Sequence, residues 1–262
     1  MNSLRNGLDD LRAAFAHYRV AHLLSMMEIR HRYRRSTFGV FWITGTMAVL
    51  IGTISFVFSH IFNTETATLV PFLTAGFILW GFAAQCLSEG CLAFLNSEEY
   101  LKMEPLPLSL FILKTIWFNL VVAAHNAVVF LFVAVYFQVP VGINTLYFVP
   151  GLLIFTFTIF FLVLLGAVAS TRFRDVPPIV ANIVQVLFYL TPIVWLPSLI
   201  AQRASWILYN PFFHLLEIVR QPLLGQAPSA ISWTYGVVML VVVGIGALFV
   251  FGKYRDRVMY WL

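Results

Sequence analysis

Charge is what this sequence has least of. Asp, Glu, Lys and Arg make up 10% of its 262 residues, against about 25% in a soluble domain. That is too little to cover a water-facing surface. Cysteine is nearly absent. Cys86 and Cys91 are the only two, both in an apolar run, and no His or second Cys pair completes a metal pattern. They read as packing residues and say little about redox compartment. Alternating ten-residue stretches of the membrane β-barrel kind are missing. Catalytic signatures are missing too: there is no P-loop, no His-Glu-x-x-His, no Gly-x-Ser-x-Gly and no aspartate-rich diphosphate–magnesium motif. No catalytic residue and no metal site is therefore assigned, and energy for any work must come from a partner. No Asp/Glu/His relay runs through the apolar runs, which counts against a proton-coupled pump.

What is present is apolar and comes in blocks: 61% of residues are hydrophobic and the mean hydropathy is +0.89. Runs of roughly 20 apolar residues cross the hydrocarbon core as helices, because backbone polar groups in lipid must pair internally. Six such segments are predicted, at 38–62, 69–93, 108–137, 145–170, 177–196 and 231–252. The fold class is all-α membrane protein, with residues 1–36 as a cytoplasmic interfacial element and 37–262 as one six-helix domain. The first 36 residues are polar and basic, so no cleaved leader is expected and the first span serves as the insertion signal.

Orientation follows from Lys and Arg, which stay on the cytoplasmic side. Fourteen of the sixteen fall on one set of connections, and only Arg203 and Arg220 fall on the other. The split requires both termini in the cytoplasm of a multi-pass inner-membrane protein, and an even number of crossings. It also accounts for the net charge of +5 without a nucleic-acid partner.

Leu4, Leu8, Leu11, Phe15, Tyr18 and Leu23 recur near helical spacing among Arg5, Asp9, Arg12 and Arg19, predicting an amphipathic helix over 4–24 on the membrane surface. Arg30, Arg32, Arg34 and Arg35 crowd the mouth of the first span. They either anchor on lipid phosphates or grip a diphosphate by two-point Arg forks. Within that span Gly45, Ala48, Gly52, Ser55 and Ser59 form a small-residue stripe suited to helix packing, while Trp42 and Phe56 lie on another stripe that could face a cavity. Asn96 followed by Glu99 has capping-box spacing, and Pro105 and Pro107 stop the helix. A two-turn cytoplasmic helix is predicted there, either a docking knob or an ordinary turn. His125 and Asn126 sit mid-span, where a helix-to-helix hydrogen bond is expected before a substrate contact. Glu89 is expected to pair with Lys114 or an N-terminal arginine. Pro177 and Pro178 suit a first helical turn, and Pro192 ends or kinks the fifth span. In 211–224, capped by Asn210, about 14 residues cannot span, so a re-entrant or interfacial helix is expected. One face carries His214, Glu217 and Gln221.

The run Met27-Glu28-Ile29-Arg30-His31-Arg32-Tyr33-Arg34-Arg35-Ser36-Thr37-Phe38-Gly39-Val40-Phe41-Trp42 resembles the opening of permeases of type-2 ATP-binding-cassette exporters, nearest to the O-antigen and cell-surface polysaccharide (Wzm-like) group. Residues 98–107, 119–126, 172–177 and 210–224 fall in that family's order. Glu28 stands where an aspartate is expected.

The resemblance implies a homodimer with a channel at its interface and two copies of a cytoplasmic ATPase subunit, which alone carries ATP and Mg. This chain binds no cofactor. The resemblance further implies a coupling helix containing Asn96, Glu98, Glu99, Tyr100, Leu101 and Lys102, and short exit helices bearing His214, Glu217 and Arg220. The expected cargo is a lipid-linked polysaccharide, its diphosphate met by Arg30, Arg32, Arg34 and Arg35. Its sugars would slide past Trp42, Phe56, Phe188 and Tyr189. Capsular polysaccharide, teichoic acid and a small lipid or drug are the alternative cargoes within the superfamily.

Overall fold

The computed structural model describes residues 2–34, 39, 41–62, 64–104, 106–197 and 205–262. Regular structure among them is helical throughout. The elements are α1 (Asn2–Ala16), α2 (Tyr18–Tyr33), α3 (Phe41–Phe62), α4 (Thr66–Gly90), α5 (Glu98–Met103), α6 (Leu108–Tyr136), α7 (Phe148–Arg172), α8 (Val176–Leu190), α9 (Pro211–Leu223) and α10 (Ala230–Trp261). Among the described residues five stretches are long and apolar enough to cross a bilayer: Phe41–Ile61, Thr66–Gly90, Leu108–Tyr136, Ile143–Arg172 and Ala230–Trp261.

The expected fifth span, 177–196, is shorter in the structure. α8 has 15 residues, about 22 Å at 1.5 Å per residue, less than the ~30 Å core. Pro177 and Pro178 open it as expected. Pro192 explains its end: the ring would clash with the carbonyl four residues back, and it forces the preceding residue out of the helical region. Thr191 is accordingly extended, with φ −101° and ψ 133°.

Neighbour pairs fix helix directions. Tyr147 meets Trp233, an added Cβ on Gly244 would touch Phe161, and Arg172 lies over Trp261. α7 and α10 therefore run parallel, and the chain between them must return to the opposite end. α8 and α9 share that return. Phe188 of α8 reaches mid-α4 at Trp80. α9 starts at the same level, with Phe212 against Trp80, and ends where Gly225 adjoins Pro140 beyond α6. α9 is buried on all sides rather than amphipathic at an interface: Phe213 through Arg220 are all buried. Broken helix at this depth is tolerated because protein surrounds it.

α4 is the central helix, buried on every side from Pro71 to Trp80, and it meets α3, α6, α7, α8 and α9. Cys86 and Cys91 are buried free thiols within this packing. α3 is peripheral. Ile51 and Ser55 are its buried residues, while Gly45 and Gly52 face open space. Within the subunit, then, the small-residue stripe packs at Ser55 but leaves Gly45, Ala48 and Gly52 uncovered.

The N-terminal region also differs from expectation. A single helix over 4–24 is broken at His17, with φ −97° and ψ 23°. The buried side is mostly small, with Gly7, Ala14, Ala21 and Ser25 beside Asp10 and Ile29, while Leu8, Phe15, Tyr18 and Leu23 are exposed. α1 crosses α10 backbone to backbone: a Cβ on Gly252 would overlap the Ser3 carbonyl oxygen, and one on Gly7 would lie 2.7 Å from the Leu248 oxygen. Small residues permit that approach. Large apolar residues turned outward suit a helix whose other side meets lipid.

Candidate coupling and substrate site

The C-terminal ends of α2, α4, α7 and α10, the start of α6 and all of α5 gather at one end of the bundle, here the basic end. There an ion network forms. Lys114 Nζ lies 2.7 Å from Glu28. Arg32 donates to Glu89 at 3.1 Å, lies 3.5 Å from Glu28 and sits 4.3 Å over the Phe118 ring. Asn119 Nδ2 also donates to Glu89, at 3.3 Å. Glu89 thus finds an N-terminal arginine, and Lys114 pairs with Glu28 instead. Arg30 and Arg34 are exposed on and just past α2, outside this network. Arg35 lies outside the described residues, as do Arg203 and Pro105.

α5 follows a 3-10 turn, Leu95–Ser97, that continues the end of α4. Asn96 therefore lies inside a helical turn and cannot form the expected capping box with Glu99. Ser97 occupies the cap position without a side-chain bond. The short helix itself is present. Leu101 points inward, whereas Tyr100 is 51% and Met103 80% exposed. Glu98 pairs with Lys102 one turn on, and Glu99 is exposed. The hydrogen bond and charge of Lys102 hold the Glu98 carboxyl below its ordinary 4.5. The depressed value means the pair is intact above the ordinary carboxylate range and is lost as pH falls through the folded midpoint. A carboxyl-carbon NMR titration is expected to place Glu98 below 4.5, and Lys102→Met to bring it back up. An unchanged midpoint in that variant would remove Lys102 as the cause.

Asp10 on α1 was not singled out by the sequence. Its side chain is fully buried, and Arg255 Nε donates to it at 2.7 Å. It also accepts from Leu108 N at 3.3 Å, Ser109 N at 3.0 Å and Ser109 Oγ. Pro107 at the cap position of α6 offers no side-chain acceptor, so the cap for α6's orphan amides comes from a residue 98 positions away. α1, α6 and α10 are locked together directly behind α5. A cleft of about 530 Å³ separates α5 from the end of α10, lined by Lys102, Met103, Arg255, Met259 and Tyr260 among others.

At mid-depth α9 repairs the break after α8. Asn210 caps α9 by accepting from Phe212 N at 3.0 Å. Its amide donates to Thr191 Oγ1 at 3.0 Å and to Leu190 O at 3.3 Å. Arg220, fully buried, donates to Pro192 O at 2.7 Å and to Glu217. Its guanidinium lies 3.9 Å from the Phe72 ring centroid. Gln221 donates to the other oxygen of Glu217. His214 is not a loose surface group: Nε2 faces the Leu208 carbonyl at 2.9 Å, Nδ1 faces Ser232 Oγ at 3.0 Å, and the ring stacks on Tyr235. A carbonyl only accepts, so Nε2 carries a proton and donates it to the Leu208 carbonyl.

Trp42, Phe56 and Tyr189 are exposed on α3 and α8, whereas Phe188 is half-buried against Phe77 and Trp80. The His125 ring bonds its own helix at Val121 O, 2.8 Å, and Thr44 donates to the His125 carbonyl. The expected hydrogen bond between helices is thus made at His125 through its carbonyl, whereas the Asn126 amide oxygen is buried with no partner among the described residues. Among the described residues no three His, Cys, Asp or Glu side chains come together as a metal would need.

Comparison with known proteins adds to this geometry. Residues 20–224 match the family model described as ABC-2 type transporter. Two Klebsiella pneumoniae proteins, each called "O-antigen export system permease protein RfbA", are similar to the chain at 24% and 22% identity. Each similarity covers 90% of this chain and 92% of the relative.

Proposed function

We propose, for a chain that belongs to the ABC-2 type transporter family, that it is the membrane subunit of an ATP-driven exporter and carries a polyprenyl-diphosphate-linked polysaccharide of the O-antigen type across the inner membrane. The substrate reading draws on the printed name of the two Klebsiella relatives. The observation that carries the reading is the assembly at the basic end: a protruding α5 with exposed Tyr100 and Met103, braced by the Asp10 junction, beside the arginines of α2.

In this reading the basic end is cytoplasmic, with both termini. The chain crosses six times, the fifth crossing being shared by α8, the bent chain after it and α9. α5 seats in a separate ATPase subunit, which holds ATP and Mg. Its stroke reaches α6 directly and α1 and α10 through Asp10. Two copies of the chain enclose the channel, and the small-residue face of α3 left open in one subunit suits a close approach of the second. Arg30, Arg32, Arg34 and Arg35 orient the diphosphate, and Trp42, Phe56 and Tyr189 offer ring faces for sugars. Phe188 is half-buried in its own subunit, which leaves it less ring surface to present.

Replacing Arg32, Arg34 and Arg35 together by Gln is expected to lower surface polymer at least about tenfold, the scale of one lost charge-assisted contact, at normal protein level. Unchanged export would discard the diphosphate role. A purified complex lacking any nucleotide-hydrolysing subunit would discard the exporter reading itself.

A further inference from the structure

Two polar cavities flank the Arg32 guanidinium. One, about 270 Å³, is lined by Glu28, Glu89 and Lys114. The other, also about 270 Å³, lies farther from the basic end between α3, α4 and α6, and is lined by Arg32, Trp42, Thr46, Gln85 and Asn126. The spacing links them. Glu89 and Gln85 are four apart on α4, and Asn119 and Asn126 seven apart on α6, so each pair shares a helix face. The polar groups thus climb about 10 Å along α6 past Arg32.

The second cavity contains an unmet chemical demand. Asn126 is 6% exposed, its amide oxygen has no partner, and it makes no side-chain hydrogen bond to any described residue. Asn119 likewise has a buried, unpartnered amide oxygen, although its Nδ2 is used by Glu89 and the Thr115 carbonyl. Gln85 is exposed on the cavity wall with no side-chain partner among the described residues. An unpartnered buried amide is costly, and at membrane depth such groups mark ligand paths. Packing alone would be served better by Leu. What these acceptors lack is donors, and hydroxyls supply them. Arg32 has five N–H donors, more than its contacts with Glu28 and Glu89 use, and its side chain is 42% exposed. Acceptors for hydroxyls, a cation for phosphate and the Trp42 indole together match a sugar esterified to a diphosphate.

We infer that this cavity binds the lipid-proximal sugar of the exported glycan, with Asn126 and Gln85 contacting its hydroxyls while Arg32 holds the adjoining diphosphate. The inference rests on the polysaccharide reading above and adds the recognition site to it. It is tested on the purified permease in nanodiscs of phosphatidylethanolamine. The probes are a fluorescent polyprenyl diphosphate bearing one N-acetylglucosamine and the same lipid without the sugar. The unaltered protein is expected to prefer the sugar-bearing probe by about tenfold, the value of one hydrogen bond that only the sugar makes. Asn126→Leu and Gln85→Leu should bring the ratio to about one without weakening the bare lipid. Arg32→Gln should weaken both probes alike. Asn126→Leu removes an unpartnered amide from the interior, so its thermal midpoint should hold or rise, which separates lost recognition from misfolding. A folded Asn126→Leu protein that keeps the full preference overturns the inference and leaves the export reading standing. So does displacement of the probe by an equal mole fraction of phosphatidylglycerol, which would make this a general headgroup site. If the unaltered protein binds neither probe, the polysaccharide reading falls and takes the inference with it.

Discussion

Arg220→Ala is expected to leave little folded protein: detergent-solubilised material should lose about 3–5 kcal/mol of stability, a large share of the roughly 5–15 kcal/mol that holds a typical domain together. The cost arises from what is left behind. Glu217 would be left buried without its cation, with Gln221 as its remaining side-chain donor among the described residues. The Pro192 carbonyl, opened by the end of α8, would lose the guanidinium that satisfies it. Phe72 would lose the planar group stacked on it. Arg220→Lys keeps the charge but not the fork, since one ammonium cannot reach the carbonyl, the carboxylate and the ring face together. It should fall between the two. Tryptophan-fluorescence melting of the three proteins gives the ranking. An Arg220→Ala protein that melts with the unaltered chain would mean that the break after α8 is held by something else.

The second large effect is expected at Asp10. Asp10→Ala removes the side-chain cap that the described residues give α6's first turn, and the partner of Arg255. A lost cap costs about 0.5–2 kcal/mol and charge-assisted hydrogen bonds about 1.5–3, so a loss of about 3 kcal/mol is expected after allowing for water around the partly exposed Arg255. Asp10→Asn separates the two roles. Asparagine keeps one acceptor oxygen for the Ser109 donors but turns its NH2 toward the Leu108 and Arg255 N–H groups, so about 2 kcal/mol should be lost. If α5 transmits a partner's stroke through this junction, Asp10→Asn should still hydrolyse ATP in the assembled complex while exporting several-fold less polymer per ATP. A fall in export that tracks protein level alone would reduce Asp10 to a structural cap.

The five long spans were legible because lipid leaves a helix no alternative and composition alone reports it. The early end of α8 was legible in part, since Pro192 is a local signal. The rest was hidden by distance along the chain. Nothing near Gly7 announces that Gly252 faces it, and nothing near Asp10 announces Arg255, 245 positions on. Exposure of Leu8 and Phe15 on α1 and of Tyr18 and Leu23 on α2 fits the expected surface helix, but nothing in the local sequence shows the small-residue contact with α10. Arg220 reads in one dimension as a charge on a short helix outside the spans, whereas the fold buries it and gives its charge a task inside the bundle. The Asn96–Glu99 spacing matched a capping box but lost to the 3-10 turn that extends α4. Arg32 stood among the candidates drawn from the sequence, whereas Gln85, which lines the cavity inferred above, did not, because a lone glutamine in an apolar helix carries no motif.

The arrangement of the basic end toward the cytoplasm, with α5 presented to a soluble motor, is tested most directly by labelling one position. In a chain whose Cys86 and Cys91 are replaced, Tyr100→Cys is exposed to a membrane-impermeant thiol reagent in intact spheroplasts and again after permeabilisation. Modification after permeabilisation only is the expected result. Modification of intact spheroplasts would place α5 on the outer face and contradict the account.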